Sequence, residues 1–119
     1  MRKLLVFVLL ASVGSIAQAH HSAAAFDREK PYTLTGTIKE WQWANPHIWV
    51  KVMVPDGKGG ADEYDLEGPS AAGMARNGAS SKSFKPGDTG KFLVAPYKDG
   101  SKRGEFLACW LADGTQLKF

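Results

Sequence analysis

Ile48-Trp49-Val50-Lys51-Val52-Met53-Val54, then Pro55-Asp56-Gly57-Lys58-Gly59-Gly60, then Glu63-Tyr64-Asp65-Leu66-Glu67 is the stretch whose reading decides the fold class. Ile48, Val50, Val52 and Val54 recur at period two, the spacing of a half-buried strand. The Pro/Asp/Gly segment after them has the composition of a hairpin loop. Tyr64 and Leu66 then alternate with Glu63, Asp65 and Glu67, which gives a shorter strand with an acidic outer face. Carboxylates set out in that way read as a solvated face rather than a catalytic pair.

Working outward, Tyr32 to Trp43 is rich in Thr, Ile and Trp, residues that suit a pleated, half-buried surface. Asn45-Pro46 turns the chain into the next strand. Downstream, Ser70 caps a short helix through Met74 and Arg76, and Asn77-Gly78 stops it. Lys85-Pro86-Gly87-Asp88 turns into a strand from Thr89 to Pro96. Asp99-Gly100 and Gly104 bracket a tight connection to a last strand, Glu105 to Leu111. Asp113-Gly114 leads into a C-terminal tail. The chain is therefore expected to be all-β with one short helix, in the order β-β-β-α-β-β of a small five-stranded OB-like barrel. An SH3-like or other small barrel competes, because order alone does not fix strand pairing.

Residues 1–19 have the pattern of a secretory signal peptide. Arg2 and Lys3 precede an apolar run from Leu4 to Val13, and Ala17-Gln18-Ala19 is a small-residue cleavage site. The apolar run is far short of the ~20 residues that span a bilayer, so no stable membrane anchor is expected after cleavage. A cut after Ala19 leaves His20 as the first residue; a cut after Ala25 would leave Phe26 instead. Residues 20–31 read as an N-terminal arm ending at Pro31, and residues 32–119 as the barrel domain. The location implied is periplasmic or secreted.

The formal charge of +3 includes Arg2 and Lys3, so the mature chain carries about +1. No cluster of Lys and Arg marks a nucleic-acid face, and export argues against that partner as well. Cys109 is the one cysteine, so no intrachain disulfide can form. It reads as a small buried apolar residue on a face shared with Leu107 and Leu111.

The three histidines are His20, His21 and His47. An N-terminal histidine offers its α-amine and its ring to one metal ion, and an amine pKa of ~8 lets the proton leave near neutral pH. A third nitrogen, from His47 or His21, completes a histidine brace. Nitrogen-rich tetragonal sites favour Cu(II), which heads the affinity order of divalent ions. Copper is thus the expected cofactor, with His20, His21 and His47 as candidate ligands. No cysteine or carboxylate pair adjoins these histidines in the sequence.

Trp41, Trp43 and Trp49 flank Asn45-Pro46-His47. Their rings can seal the barrel, or stack on a planar ligand with Asn45 beside them. The alternative to copper binding is therefore a metal-free module for a protein, peptide or glycan partner. No nucleophilic triad and no phosphate-cradling glycine loop marks an enzyme, so a copper oxidase or oxygenase is the third reading.

The chain resembles an uncharacterised family of small exported bacterial proteins known only as a domain of unknown function. The residues that carry the resemblance are Ala19-His20-His21-Ser22, Phe26-Asp27, Leu34-Thr35-Gly36-Thr37, Trp43-Ala44-Asn45-Pro46-His47 and Leu66-Glu67-Gly68. Lys85-Pro86-Gly87-Asp88 and Lys98-Asp99-Gly100-Ser101 complete the set. The sequence departs from it at Asn77-Gly78-Ala79-Ser80-Ser81, where a more basic, Trp-containing stretch is expected. The resemblance implies a periplasmic or secreted single domain and brings no activity with it.

Overall fold

The computed structural model describes residues 24–119. The expected signal peptide, His20 and His21 lie outside the described residues. The elements are β1 (Tyr32–Gln42), β2 (Trp49–Pro55), β3 (Ala61–Glu67), α1 (Ala71–Arg76), β4 (Thr89–Pro96), β5 (Arg103–Trp110) and β6 (Gln116–Lys118). The sheet runs β3-β2-β1-β4-β5-β6, and a further β3–β5 pairing closes the first five strands into a barrel. That closing pair is parallel, with Asp65, Leu66 and Glu67 beside Arg103, Gly104 and Glu105. The expected OB-like barrel is present, with one strand added.

The added strand is the tail beyond Asp113-Gly114. Leu117 pairs with Cys109 and is buried, so the tail covers the part of β5 that β3 does not reach. A three-residue strand with a single apolar side chain carries little period-two signal, which is why the sequence reads there as tail.

The pleat places Leu34 and Ile38 of β1, Val50 and Val52 of β2, Leu66 of β3 and Phe92 and Val94 of β4 in one core. Two bulges change its phase. Ile38 faces Val52 while Glu40 faces Lys51, so Lys39 is an extra residue in β1. Beyond it Trp41 turns inward and packs on the core. Leu93 faces Ala108 while Val94 faces Phe106, so Leu107 is extra in β5. The expected face of Leu107, Cys109 and Leu111 is corrected accordingly. Phe106 and Cys109 are buried in the core, Leu111 is half-buried against it, and Leu107 stands outside the core cluster. A bulge shifts side-chain phase by one, and strict alternation cannot foresee it.

Gly104 lies within β5 rather than in the turn before it, because a Cβ there would come within 2.4 Å of Val94 Cγ1. The turn's special residue is Gly100, at φ +79°. Helix α1 forms as read. Ser70 Oγ accepts from Gly73 N at 3.0 Å, and Ala71 and Met74 are buried.

Candidate functional site

The site is built where the β2–β3 pairing runs on past its strands. Trp49 faces Glu67 in register. One step farther, Gly68 N donates to Ile48 O at 2.7 Å and Ile48 N donates to Pro69 O at 2.8 Å. The backbone therefore carries His47 alongside Glu67 and Gly68. Ile48 is fully buried and fixes this corner, while the His47 side chain, in the opposite phase, keeps 49% of its surface exposed.

His47 is held at both ring nitrogens. Nδ1 lies 3.0 Å from Gly68 O. A carbonyl oxygen only accepts, so Nδ1 carries the proton and donates. Nε2 lies 3.3 Å from Glu67 Oε1, whose side chain is 18% exposed. The sequence reading missed Glu67. It took the acidic strand for a solvated face, and only strand register brings this carboxylate to His47.

His47 and Gly68 border a groove of about 300 Å³, lined also by Phe106, Leu107 and Phe119. The N-terminal arm reaches the same groove. Asp27 N donates to Pro96 O and Lys98 N to Ala25 O, each at 2.8 Å. Phe26 is buried edge-on against Tyr97, with centroids 5.1 Å apart. Arg28 then places Nε and Nη2 each 2.8 Å from the two oxygens of Glu105. This forked hydrogen bond holds the Arg28 guanidinium above its ordinary pKa.

The tryptophans do not form one surface. Trp41 meets Phe84 edge-on at 5.1 Å and Trp43 at 6.1 Å, and both tryptophans pack on the core. Trp41 Nε1 is buried without a hydrogen-bond partner among the described residues. Trp49 is the exposed one, at 39%. It lies in a separate groove of about 220 Å³ with Glu40, Gln42, Lys51 and Asp65. Asn45 Oδ1 accepts from Ala72 N at 3.3 Å, so it braces the start of α1.

The structure thus brings His47, Arg28 and Glu105 to one groove, with Glu67 beside His47, and sets Trp49 in another. Among the described residues, no group of three or more His, Cys, Asp and Glu side chains is placed to hold a metal ion. Residues 8–106 match a family model described as "Family of unknown function (DUF6152)". No curated protein and no solved structure matches the chain.

Proposed function

We propose that this chain, which belongs to that family of unknown function, is an exported periplasmic protein whose small β-barrel binds one Cu(II) ion. His20 supplies its amine and its ring, and His47 supplies the third nitrogen. His21 is the alternative third ligand. The observation that carries the reading is the state of His47. Its Nδ1–H is given to the Gly68 carbonyl, which leaves Nε2, 3.3 Å from Glu67 Oε1, as the ring nitrogen that can bind a metal. Metal-binding histidines are oriented in this way, one nitrogen on a backbone carbonyl and the other on the metal. The arm is fastened to the barrel at Ala25, Asp27 and Arg28, and Arg28 lines the groove of His47. Ala24 lies four positions after His20, a reach of at most about 14 Å.

The test is calorimetric titration of Cu(II) into the exported protein with no tag before His20. One ion should bind. A single residue added before His20 should weaken binding sharply, because the amine is displaced while both rings remain. His47→Ala should weaken it too; if His21 is the third ligand, His21→Ala will do so instead. Equal affinity in the native and extended forms rules out the brace. N-terminal sequencing of the exported protein should begin at His20, and a start at Phe26 removes the reading altogether.

A second reading is favoured by Trp49. Its exposed indole, ringed by Gln42, Lys51 and two carboxylates, suits a metal-free module that stacks a peptide or glycan. Trp49→Ala would abolish binding of such a partner and leave copper affinity unchanged.

A further inference from the structure

We infer that the Trp49 groove is a docking site for an arginine side chain of a partner polypeptide, an assignment that rests on the metal-free reading of Trp49 above and names its ligand. Strand register sets the groove out in rows. Gln42, Trp49 and Glu67 stand in one cross-strand row of β1, β2 and β3, and Glu40, Lys51 and Asp65 stand in the next. Partners in a ladder share a face, and Val50, between Trp49 and Lys51, is buried in the core. The two rows therefore stand on the outer face of the barrel, where Glu40, Gln42, Lys51 and Asp65 line the groove with Trp49.

Charge is divided unevenly along this face. Glu63, opposite Met53, belongs to the third row. Two lysines converge on it, Lys39 at 2.5 Å and Lys51 at 3.5 Å. Lys51 reaches Asp65 only at 3.9 Å. Glu40 makes no ion pair among the described residues, and its carboxylate accepts from the Gln42 amide. The end of the groove at Trp49 thus keeps two carboxylates whose nearest ammonium leans toward the far row. Such a site repels an anionic ligand and attracts a cation. The indole decides which cation. Trp49 is 39% exposed, and among the described residues no ring and no cation is stacked on it, whereas Lys91 lies over Trp110. A guanidinium is planar, so it can lie flat on an indole while its N–H edge forks to a carboxylate; an ammonium has no such face. The chain makes both contacts with its own arginines. Arg103 lies over the Tyr97 ring at 4.0 Å, and Arg28 forks to Glu105 at 2.8 Å. The Trp49 groove offers ring and carboxylates together. A neutral glycan would stack on the same indole and gain nothing from the uneven charge.

The test is NMR titration of the isotope-labelled exported protein with the blocked peptide Gly-Gly-Arg-Gly-Gly. A control peptide carries citrulline in place of arginine, which keeps the shape and removes the charge, and needs no variant of the protein. The arginine peptide should shift the Trp49 indole N–H and the backbone amides of Glu40, Gln42, Lys51 and Asp65. It should bind about fivefold tighter than the citrulline peptide, and added salt should weaken it. Trp49→Ala should abolish the shifts. Glu40→Gln should weaken binding by about two- to fivefold, the worth of an exposed ion pair. Equal binding of the two peptides overturns the arginine assignment and leaves the Trp49 module standing. Shifts produced by cellopentaose and by neither peptide overturn it too, and leave a glycan module. If neither peptide nor cellopentaose moves the Trp49 signal, the metal-free reading itself falls.

Discussion

Gly68 stands where two parts of the molecule nearly touch. A Cβ on it would lie 2.1 Å from Phe106 Cζ, in a ring that is buried and packed edge-on against Phe92 and Phe119. The ring is packed between two others, so Gly68→Ala should cost about 1–3 kcal/mol, as overpacking does. Urea unfolding measures it, and an unmoved midpoint would mean that Phe106 gives way. Cys109 makes a second residue-scale case. Burial pushes its thiol up from an ordinary value near 9.0 to about 12. Between those values the unfolded chain releases this proton and the folded chain keeps it. Stability present below about pH 9 should therefore fall progressively as pH rises toward 12. Cys109→Ala should lose that part of the decline, while Tyr32, raised chiefly by its own burial, keeps its share. Thiol alkylation at pH 8 should be slow in the native protein and fast in urea; fast native labelling contradicts the buried placement. His47 was legible in the sequence as an exposed turn histidine. Its partners were not, because Gly68 lies 21 positions away and only register joins them.

Helix α1 is too short to persist alone, since a single turn does not repay its nucleation. What holds it is Met74, fully buried in the barrel core. Met74→Ala should cost about 2–5 kcal/mol, the range for deleting a buried methionine. Ser70→Ala removes only the cap and should cost about 0.5–2 kcal/mol. Thermal melting of the two variants gives the order, and the reverse order would make the cap the anchor. The arm is held by backbone hydrogen bonds, by the Arg28–Glu105 pair and by the buried ring of Phe26. Phe26→Ala should speed proteolysis within residues 24–31 and lower the melting temperature less than Met74→Ala does. The hairpin of residues 48–67 and the helix were legible because their patterns are local: period two, a glycine-rich turn, a serine cap. The bulges at Lys39 and Leu107 were not, because an extra residue is defined only against the facing strand. Trp41 and Trp43, for which the sequence favours packing over a ligand platform, do pack on the core.

For the molecule as a whole, the central fact is ring closure through β3 and β5. Residues 49–53 of β2 and 91–94 of β4 have ladder partners on both sides, whereas β6 is joined on one side only. Hydrogen exchange should therefore be slowest in β2 and β4 and should begin in β6. Equal protection throughout would mean that the barrel opens only as a unit. The order of elements was enough to suggest this closure, but the parallel pairing that achieves it joins segments with a helix and a strand between them. Closure has a further consequence. The β3–β5 ladder spans only Asp65 to Glu67, so the first half of β3 from Ala61 to Tyr64 keeps a bare hydrogen-bonding edge, as does β6. Both are short and polar. Asp62 is paired with Lys102 and Glu63 with Lys39 and Lys51, and Leu117 in β6 lies between exposed Gln116 and Lys118. A second chain docking a strand on either edge would have to bury charge, the usual defence against edge-to-edge aggregation. Replacing Asp62 and Glu63 together with Val would leave the core untouched, and it should turn the barrel into one that assembles through its own backbone.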